Sequence, residues 1–200
     1  MKKLLVLQVS PRFDGSISRT LTALFVDKWR AAHEDGDVVV RDLIATPPPF
    51  VDAGWMAGAY TPAATHSSEV AAAIKISDQL IAELQIADHI VIGTPMFNFS
   101  IPAVLKAWID QVVRVGVTVS PDNVGLLTGK KATIILATGG DFSPGSPVAA
   151  YNQASGYLRQ LFAWIGVTDV EIILADRASA GGNGETAVEH FGDVVTAAAA

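Results

Sequence analysis

Five short runs of mostly β-branched and other apolar residues punctuate this chain, at residues 4–9 (LLVLQV), 37–43 (DVVVRDL), 89–93 (HIVIG), 132–137 (ATIILA) and 170–175 (VEIILA). Longer segments separate them, and in these the apolar residues recur at helical spacing. A strand that is apolar on both faces must be covered on both faces. Alternation with helices meets that need, because each helix crosses over the sheet and returns the chain to a parallel neighbour. The pattern therefore predicts an α/β chain built on a parallel sheet.

The helical stripes define the covering layers. Leu21, Leu24, Phe25, Trp29 and Ala32 share one helix face, and Val70, Ala73, Ile74, Ser77, Leu80, Ile81 and Leu84 another. Val104, Leu105, Trp108, Ile109, Val112 and Val113 mark a third helix. Tyr157, Leu158, Leu161, Phe162 and Ile165 mark a fourth, and Ala187, Val188, Phe191, Val194 and Val195 a fifth. Strict alternation of five strands and five helices predicts a flavodoxin-like three-layer sandwich, with a five-stranded parallel sheet in the order 2-1-3-4-5. A 200-residue chain buries roughly 70% of its unfolded surface, enough for one full core, so residues 1–200 are read as a single domain. One segment breaks the rhythm. Residues 45–68 hold Pro47, Pro48, Pro49 and Pro62 and exceed an ordinary strand-to-helix link, yet Phe50, Trp55, Met56 and Tyr60 make them too apolar for a solvated linker. This segment is read as a long loop that covers a site or a subunit interface.

Composition removes whole classes of chemistry. There is no cysteine, so thiolate zinc sites, iron–sulfur clusters and cysteine nucleophiles are excluded. With 14 Lys and Arg against 20 Asp and Glu, a net charge of −6 and a pI near 5.1, the chain lacks the basic balance of a nucleic-acid binder or of a protein docked on anionic lipid. Lys2 and Lys3 before an apolar run imitate a signal peptide, but the run is short and leads into Pro11-Arg12-Phe13-Asp14-Gly15 instead of a cleavage site. The expected location is the cytoplasm. A mean hydropathy of +0.37 comes from alanine and short strands, and no apolar stretch approaches a membrane span. His33, His66, His89 and His190 are scattered without ligand spacing, so no metal site is expected.

In an open parallel sheet, ligands bind beyond the carboxyl ends of the strands, near the reversal of strand order. Three loops fall there. The first, Ser10-Pro11-Arg12-Phe13-Asp14-Gly15-Ser16-Ile17-Ser18-Arg19, joins a buried strand to a helix. Its hydroxyls and the free amides of a helix start suit a phosphate. Ser16 or Ser18 could instead be an N-cap, but capping accounts for one serine and not for three. The second loop, Gly93-Thr94-Pro95-Met96-Phe97-Asn98-Phe99-Ser100-Ile101-Pro102, offers flat apolar surfaces and backbone amides, the requirements of a planar heteroaromatic ring. Phe97 and Phe99 could be core residues, though one face of a loop cannot turn both inward. Asn98-Phe99-Ser100 matches a glycosylation sequon by accident in a cytoplasmic chain. The third loop runs Thr138-Gly139-Gly140-Asp141-Phe142-Ser143-Pro144-Gly145, and its paired glycines either admit a ligand close to the backbone or simply make a turn.

Other motifs fail. Gly129-Lys130-Lys131 lacks the hydroxyl residue and upstream glycine of a phosphate-binding P-loop and precedes a strand. The GxGxxA pattern of Gly182-Asn183-Gly184-Glu185-Thr186-Ala187 follows the last strand, so it reads as a helix start. Gln8-Val9-Ser10 offers none of the clustered aspartates of a phospho-accepting receiver domain.

Taken together, the loops resemble the FMN-dependent NADH:quinone oxidoreductases known as azoreductases, over nearly the whole chain. Thr94 to Phe99, Ile101-Pro102, Leu105-Lys106 and Asp110 carry the similarity most strongly. Val115-Gly116-Val117-Thr118, Leu127-Thr128-Gly129-Lys130-Lys131, Val40-Arg41-Asp42-Leu43 and Gly166-Val167-Thr168-Asp169-Val170 extend it. The resemblance implies a homodimer with one FMN per subunit near the interface, NADH or NADPH as co-substrate, and ping-pong transfer of two electrons to quinones or azo compounds. By position, Ser10, Ser16, Ile17 and Ser18 would hold the phosphate. Pro95, Met96, Phe97, Asn98 and Phe99 would line the isoalloxazine ring, with amides near Asn98 at its reactive edge, and Thr138, Gly139 and Gly140 would meet its pyrimidine side. No side chain is expected to act as nucleophile or general acid, since the cofactor carries the hard chemistry.

The chain also departs from the family. Phe97 stands where Tyr is usual, and Ala137-Thr138 replaces Ser-Arg, removing a cation near the flavin. Residues 119–124 are short and lack aromatics that cover the partner's flavin; Phe13, Phe142, Trp55 and Tyr60 are candidates to replace them. The alternative reading is a flavodoxin-like electron carrier without its own substrate, which would keep a more strongly acidic rim, and a further one is a member that has lost flavin.

Overall fold

A computed structural model of the chain describes residues 1–177 and 181–200. Five parallel strands form the sheet: β1 (Lys3–Gln8), β2 (Asp37–Asp42), β3 (His89–Pro95), β4 (Lys131–Thr138) and β5 (Asp169–Asp176). Their order is β2-β1-β3-β4-β5, as expected. Pairing is in register throughout, with Leu5 opposite Val39 on one side and Ile90 on the other. The three inner strands are buried almost end to end, whereas β2 and β5 are partly exposed because each has only one neighbour.

Successive side chains of a strand point to opposite faces, which divides the core in two. Leu5, Leu7, Ile90, Ile92, Ile134 and Leu136 face α3 (Ser68–Ile86), α4 (Ala103–Val112) and α5 (Gln153–Trp164). Leu4, Val6, Val91, Ile135 and Ile173 face α1 (Ile17–Ala32) and α6 (Gly184–Ala198), which bring Leu21, Phe25, Trp29, Ala187 and Val195. Near the carboxyl end of β3 the approach of α1 is unusually close. A Cβ on Gly93 would collide with the Thr22 hydroxyl and come within 3.1 Å of the Ser18 carbonyl oxygen, so only glycine lets α1 start where it does.

Residues 45–68 differ from the expected loop. They contain a sixth helix, α2 (Ala53–Tyr60), and one 3-10 turn at Ala63–Thr65. Asp52 caps α2 by accepting the Trp55 amide at 2.8 Å, and the helix packs on α3, where Gly54 and Gly58 approach Ala73 and Ile74. Gly58 sits where a Cβ would be 2.8 Å from Ile74. Two glycines, flanking prolines and an apolar character all round left this helix without a stripe to read. Trp55 is buried and is removed from the candidates for covering a cofactor, while Tyr60 remains 69% exposed.

At the opposite end of the sheet from the three loops, His89 starts β3 with only 7% of its surface exposed. Its Nε2 lies 2.9 Å from the Thr133 hydroxyl, and its ring meets Phe25 edge-on at 5.2 Å. Burial, reinforced by Lys131 and His33, pushes its pKa down to about 4. A histidine that is neutral in the fold but free to protonate when unfolded stabilises fully above its ordinary pKa, and that contribution falls as pH drops toward the lowered value. Between about pH 6.5 and pH 4 the loss is on the order of 3 kcal/mol. Urea midpoints of the protein and of His89→Gln across that range check it: the wild-type slope should be the steeper, and equal slopes would remove His89 from the account.

Candidate functional site

The carboxyl end of β1 leads into residues 9–16, where Gly15 takes a left-handed turn (φ 62°) before α1 begins. Ser16 is the N-cap, its hydroxyl accepting the Arg19 amide at 3.3 Å. It also donates to the Ser10 hydroxyl at 3.0 Å and lies 3.4 Å from that of Ser18. All three serines are buried. Capping thus accounts for Ser16, and leaves Ser10 and Ser18 as hydroxyls gathered at a helix start. The Ile17 and Ser18 amides, the first two of α1, make no hydrogen bond among the described residues. Such a cluster favours an anion, since the donors and the helix dipole point the same way.

Across the cleft, the chain leaves β3 through a two-residue hairpin. Phe97 and Ser100 exchange backbone hydrogen bonds of 2.9 and 3.0 Å, and Asn98 (φ 49°) and Phe99 (φ 69°) are both left-handed. This is the backbone pattern of a type I′ turn, tolerated by Asn but strained at Phe. Among the described residues nothing accepts the amides of Asn98 and Phe99. Phe97 and Phe99 are 45% and 49% exposed, so neither is a core residue. Phe99 instead meets Phe142 and Tyr151 of the β4–α5 connection, with ring centroids 6.2 and 5.3 Å away. At the end of β4, the Thr138 hydroxyl donates to the Gly140 carbonyl at 2.8 Å, and among the described residues no atom lies within 4 Å of where a Cβ on Gly139 would stand.

These loops enclose a cleft of about 260 Å³. Of the residues singled out from the sequence, Ser10, Ser16, Ile17, Ser18, Pro95, Met96, Phe97, Thr138 and Gly139 line it together. Asn98 opens instead onto an adjoining groove with Ser100, Ile101, Lys106 and Tyr157, while Phe99 and Gly140 stand at the rim and line neither. Four lining residues went unassigned in the sequence, Pro11, Arg12, Ala137 and Arg177, and two of them are cations. Arg12 donates from Nε to the Asp14 carbonyl at 3.0 Å and from its amide to the Ser10 hydroxyl at 3.3 Å. Arg177 follows β5 directly, its amide donating to the Thr138 carbonyl at 2.7 Å. The signal for Arg177 was its place, since β5 ends at the same sheet edge as the three loops. It returns to this edge the cation that Thr138 does not supply. With two guanidiniums and no carboxylate, the lining is locally positive in an acidic chain. Buried hydroxyls, unused amides and two cations at one end, with Pro95, Met96 and Phe97 beside them, fit a phosphate-bearing planar cofactor.

Arg19 is a third guanidinium nearby but does not line the cleft. It pairs with Asp42 through two bonds of 2.8 and 3.1 Å. Burial alone would raise the Asp42 pKa; the bonds from Arg19 and from the Ile44 and Ala45 amides, together with the Arg19 charge, outweigh it and hold the group below its ordinary value. The pair is therefore intact at neutral pH.

Comparison with known proteins gives this geometry a family. Residues 2–195 match a protein family described as having a flavodoxin-like fold. An FMN-dependent NADH:quinone oxidoreductase 2 of Jannaschia sp. (strain CCS1) is 48% identical over 191 residues, 96% of this chain and 94% of that protein. An FMN-dependent NADH:quinone oxidoreductase of Nostoc punctiforme is 47% identical over 184 residues, covering 90% of each chain. Among solved structures, the azoreductase AzrA superposes with a TM-score of 0.86 at 26% identity, covering 98% of this chain and 99% of its own.

Because Ser18 has no capping duty, its replacement separates ligand binding from folding. In Ser18→Ala, FMN affinity followed by quenching of flavin fluorescence should fall about tenfold with the circular dichroism unchanged, as expected for one hydrogen bond to a charged group. Equal affinity in mutant and wild type would leave the serine cluster with a structural role alone.

Proposed function

The chain belongs to the flavodoxin-like FMN-dependent NADH:quinone oxidoreductases, and from that premise we propose how its own residues perform the reaction. FMN held in this cleft would supply the two-electron chemistry that links NADH oxidation to quinone reduction. Ser10, Ser16, Ile17 and Ser18 hold its phosphate through hydroxyls and helix-start amides, and Arg12 and Arg177 offset the charge of that phosphate. Pro95, Met96, Phe97, Asn98 and Phe99 line the ring. The unused amides of the Asn98–Phe99 turn face its reactive edge, where fixed donors stabilise negative charge without reorganisation. Thr138, Gly139 and Gly140 bound the pyrimidine side. No side chain is assigned a nucleophilic or acid–base role. Residues 1–200 act as one cofactor-binding domain, so donor and acceptor occupy one apolar site in turn, which is ping-pong behaviour. NADH is the donor named for the relatives; NADPH is the alternative donor, and azo compounds join quinones as acceptors by the likeness to an azoreductase. A carrier without its own substrate has no support in relatives named as oxidoreductases.

The observation that carries this reading is the convergence of the serine cluster, the β3 turn and the end of β4 on one cleft. The purified protein should be yellow, with the absorbance bands of oxidised flavin, and should oxidise NADH when menadione is supplied, giving parallel double-reciprocal lines. Flavin-loaded protein that oxidises neither NADH nor NADPH with menadione would sink the reductase reading.

We further propose a homodimer working in the cytoplasm. Among the described residues no helix is long and apolar enough to cross a membrane. An exposed apolar groove runs between α4 and α5, from Phe97 and Ile101 past Tyr157 to Leu161 and Trp164, the last 46% exposed. It begins at Phe97, which also lines the cleft, so a second copy seated there would cover the mouth of the site. Phe13, Phe142 and Tyr60 remain candidates for that cover. Light scattering at micromolar concentration should give twice the chain mass, and Trp164→Glu should shift it toward the monomer; a monomeric wild type would contradict the proposal.

A further inference from the structure

Within residues 10–16 the bonds are short-range, from Arg12 to Ser10 and Asp14 and from Ser16 to Ser10, and none of them ties the segment to the sheet. Residues 11–15 are exposed and belong to no helix or strand. Fixing such a backbone costs roughly 1–2 kcal/mol per residue, so a loop that is to present Ser10 and Ser16 ready for an anion must be held by something outside itself.

One side chain does this. Arg19, in the first turn of α1, donates from Nε to the Ser10 carbonyl at 2.8 Å, where the loop begins. Its terminal nitrogens both bond Asp42, and its guanidinium lies 4.6 Å from the centre of the Phe13 ring at the loop tip. The anchor at the far end is itself fixed. Asp42 Oδ1 also accepts the Ile44 amide at 2.9 Å, and the Leu43 amide donates to the Gln8 carbonyl at 2.9 Å, tying the end of β2 to the end of β1. A single planar group thus connects the start of the loop, its tip, its helix and the neighbouring strand. Its charge is neutralised by Asp42, which leaves Arg12 and Arg177 as the cations that line the cleft.

We propose that Arg19 is a positioning residue for the cofactor's phosphate: clamped by Asp42, it holds the residues 10–16 loop in its binding shape before any flavin arrives, acting by geometry and not by charge. The proposal rests on the FMN reading and deepens it. Lysine keeps the charge but can neither grip a carboxylate with two nitrogens nor bond the Ser10 carbonyl at the same time. The loop contacts the phosphate, so its disorder touches FMN and spares riboflavin, which lacks that group.

Titration of apo-protein with FMN and with riboflavin tests this. Arg19→Lys should bind FMN at least about tenfold more weakly, the size of a lost charge-assisted contact, with riboflavin changed less than about twofold. Asp42→Asn, which keeps an oxygen for the Ile44 amide, should do the same. Without flavin, trypsin should cut after Arg12 faster in either variant than in wild type. Full FMN affinity in Arg19→Lys would overturn the clamp, as would an equal loss for both flavins or unchanged cleavage at Arg12. A wild-type protein that binds FMN no better than riboflavin is a separate result, and it would overturn the phosphate reading itself.

Discussion

At Gly93 the backbone of β3 passes so close to the Thr22 side chain and the Ser18 carbonyl of α1 that no larger residue fits. The Thr22 hydroxyl is itself tied to that carbonyl at 2.7 Å. On its other side α1 is gripped again: a Cβ on Gly184, at the start of α6, would run into Thr20 and approach the Ser16 carbonyl to 3.3 Å. The first turn of α1 is therefore wedged between the sheet and a second helix. Ser16 and Ser18 sit in that turn, so their hydroxyls have little freedom to move, and a site assembled from rigid elements loses little entropy on binding. The rest of the cleft is arranged around this turn by the order of the strands, since the chain leaves β1 on one side for β2 and returns on the other as β3.

Charge is distributed in the same economical way. The chain carries −6 overall, yet the lining of the cleft has two arginines and no acid. Three other arginines are matched with carboxylates, Arg19 with Asp42, Arg41 with Glu83 and Arg114 with Asp78. Neutralised pairs can hold geometry without adding to the local field, whereas Arg12 and Arg177 are left to act on a ligand. One residue type thus serves two ends, and partners decide which.

The sheet was legible because a buried parallel strand writes its position into the sequence as a continuous apolar run, and each of the five runs lies within a residue or two of a strand. The three loops were legible by topology, since strand ends at one edge are where ligands go. What stayed hidden depends on packing or on backbone shape. Helix α2 has no stripe, so its Asp52 cap and its contact with α3, not a periodic pattern, mark it as a helix. Arg177 stands a single residue past β5, in a sequence context with no motif, and joins the site only because β5 neighbours β4. The Arg19–Asp42 pair links residues 23 apart through the β1–β2 pairing, a distance no local pattern reports.

The Asn98–Phe99 turn shows how far backbone geometry can carry function without a reactive side chain. A left-handed conformation costs an L-residue roughly 1–2 kcal/mol, and two stand in succession here. Glycine at Phe99 would remove most of that strain, but it would also remove the ring that rests on Tyr151 and Phe142. The Phe99 carbonyl accepts the Gln153 amide at 3.0 Å, so the turn is fastened to the start of α5 as well as to itself. Held in this way, the hairpin turns two consecutive amides away from the chain's own hydrogen bonding. A fold that needs donors at a fixed place beside a ring, and has no side chain assigned to supply them, obtains them from the main chain by accepting local strain that the surrounding contacts offset.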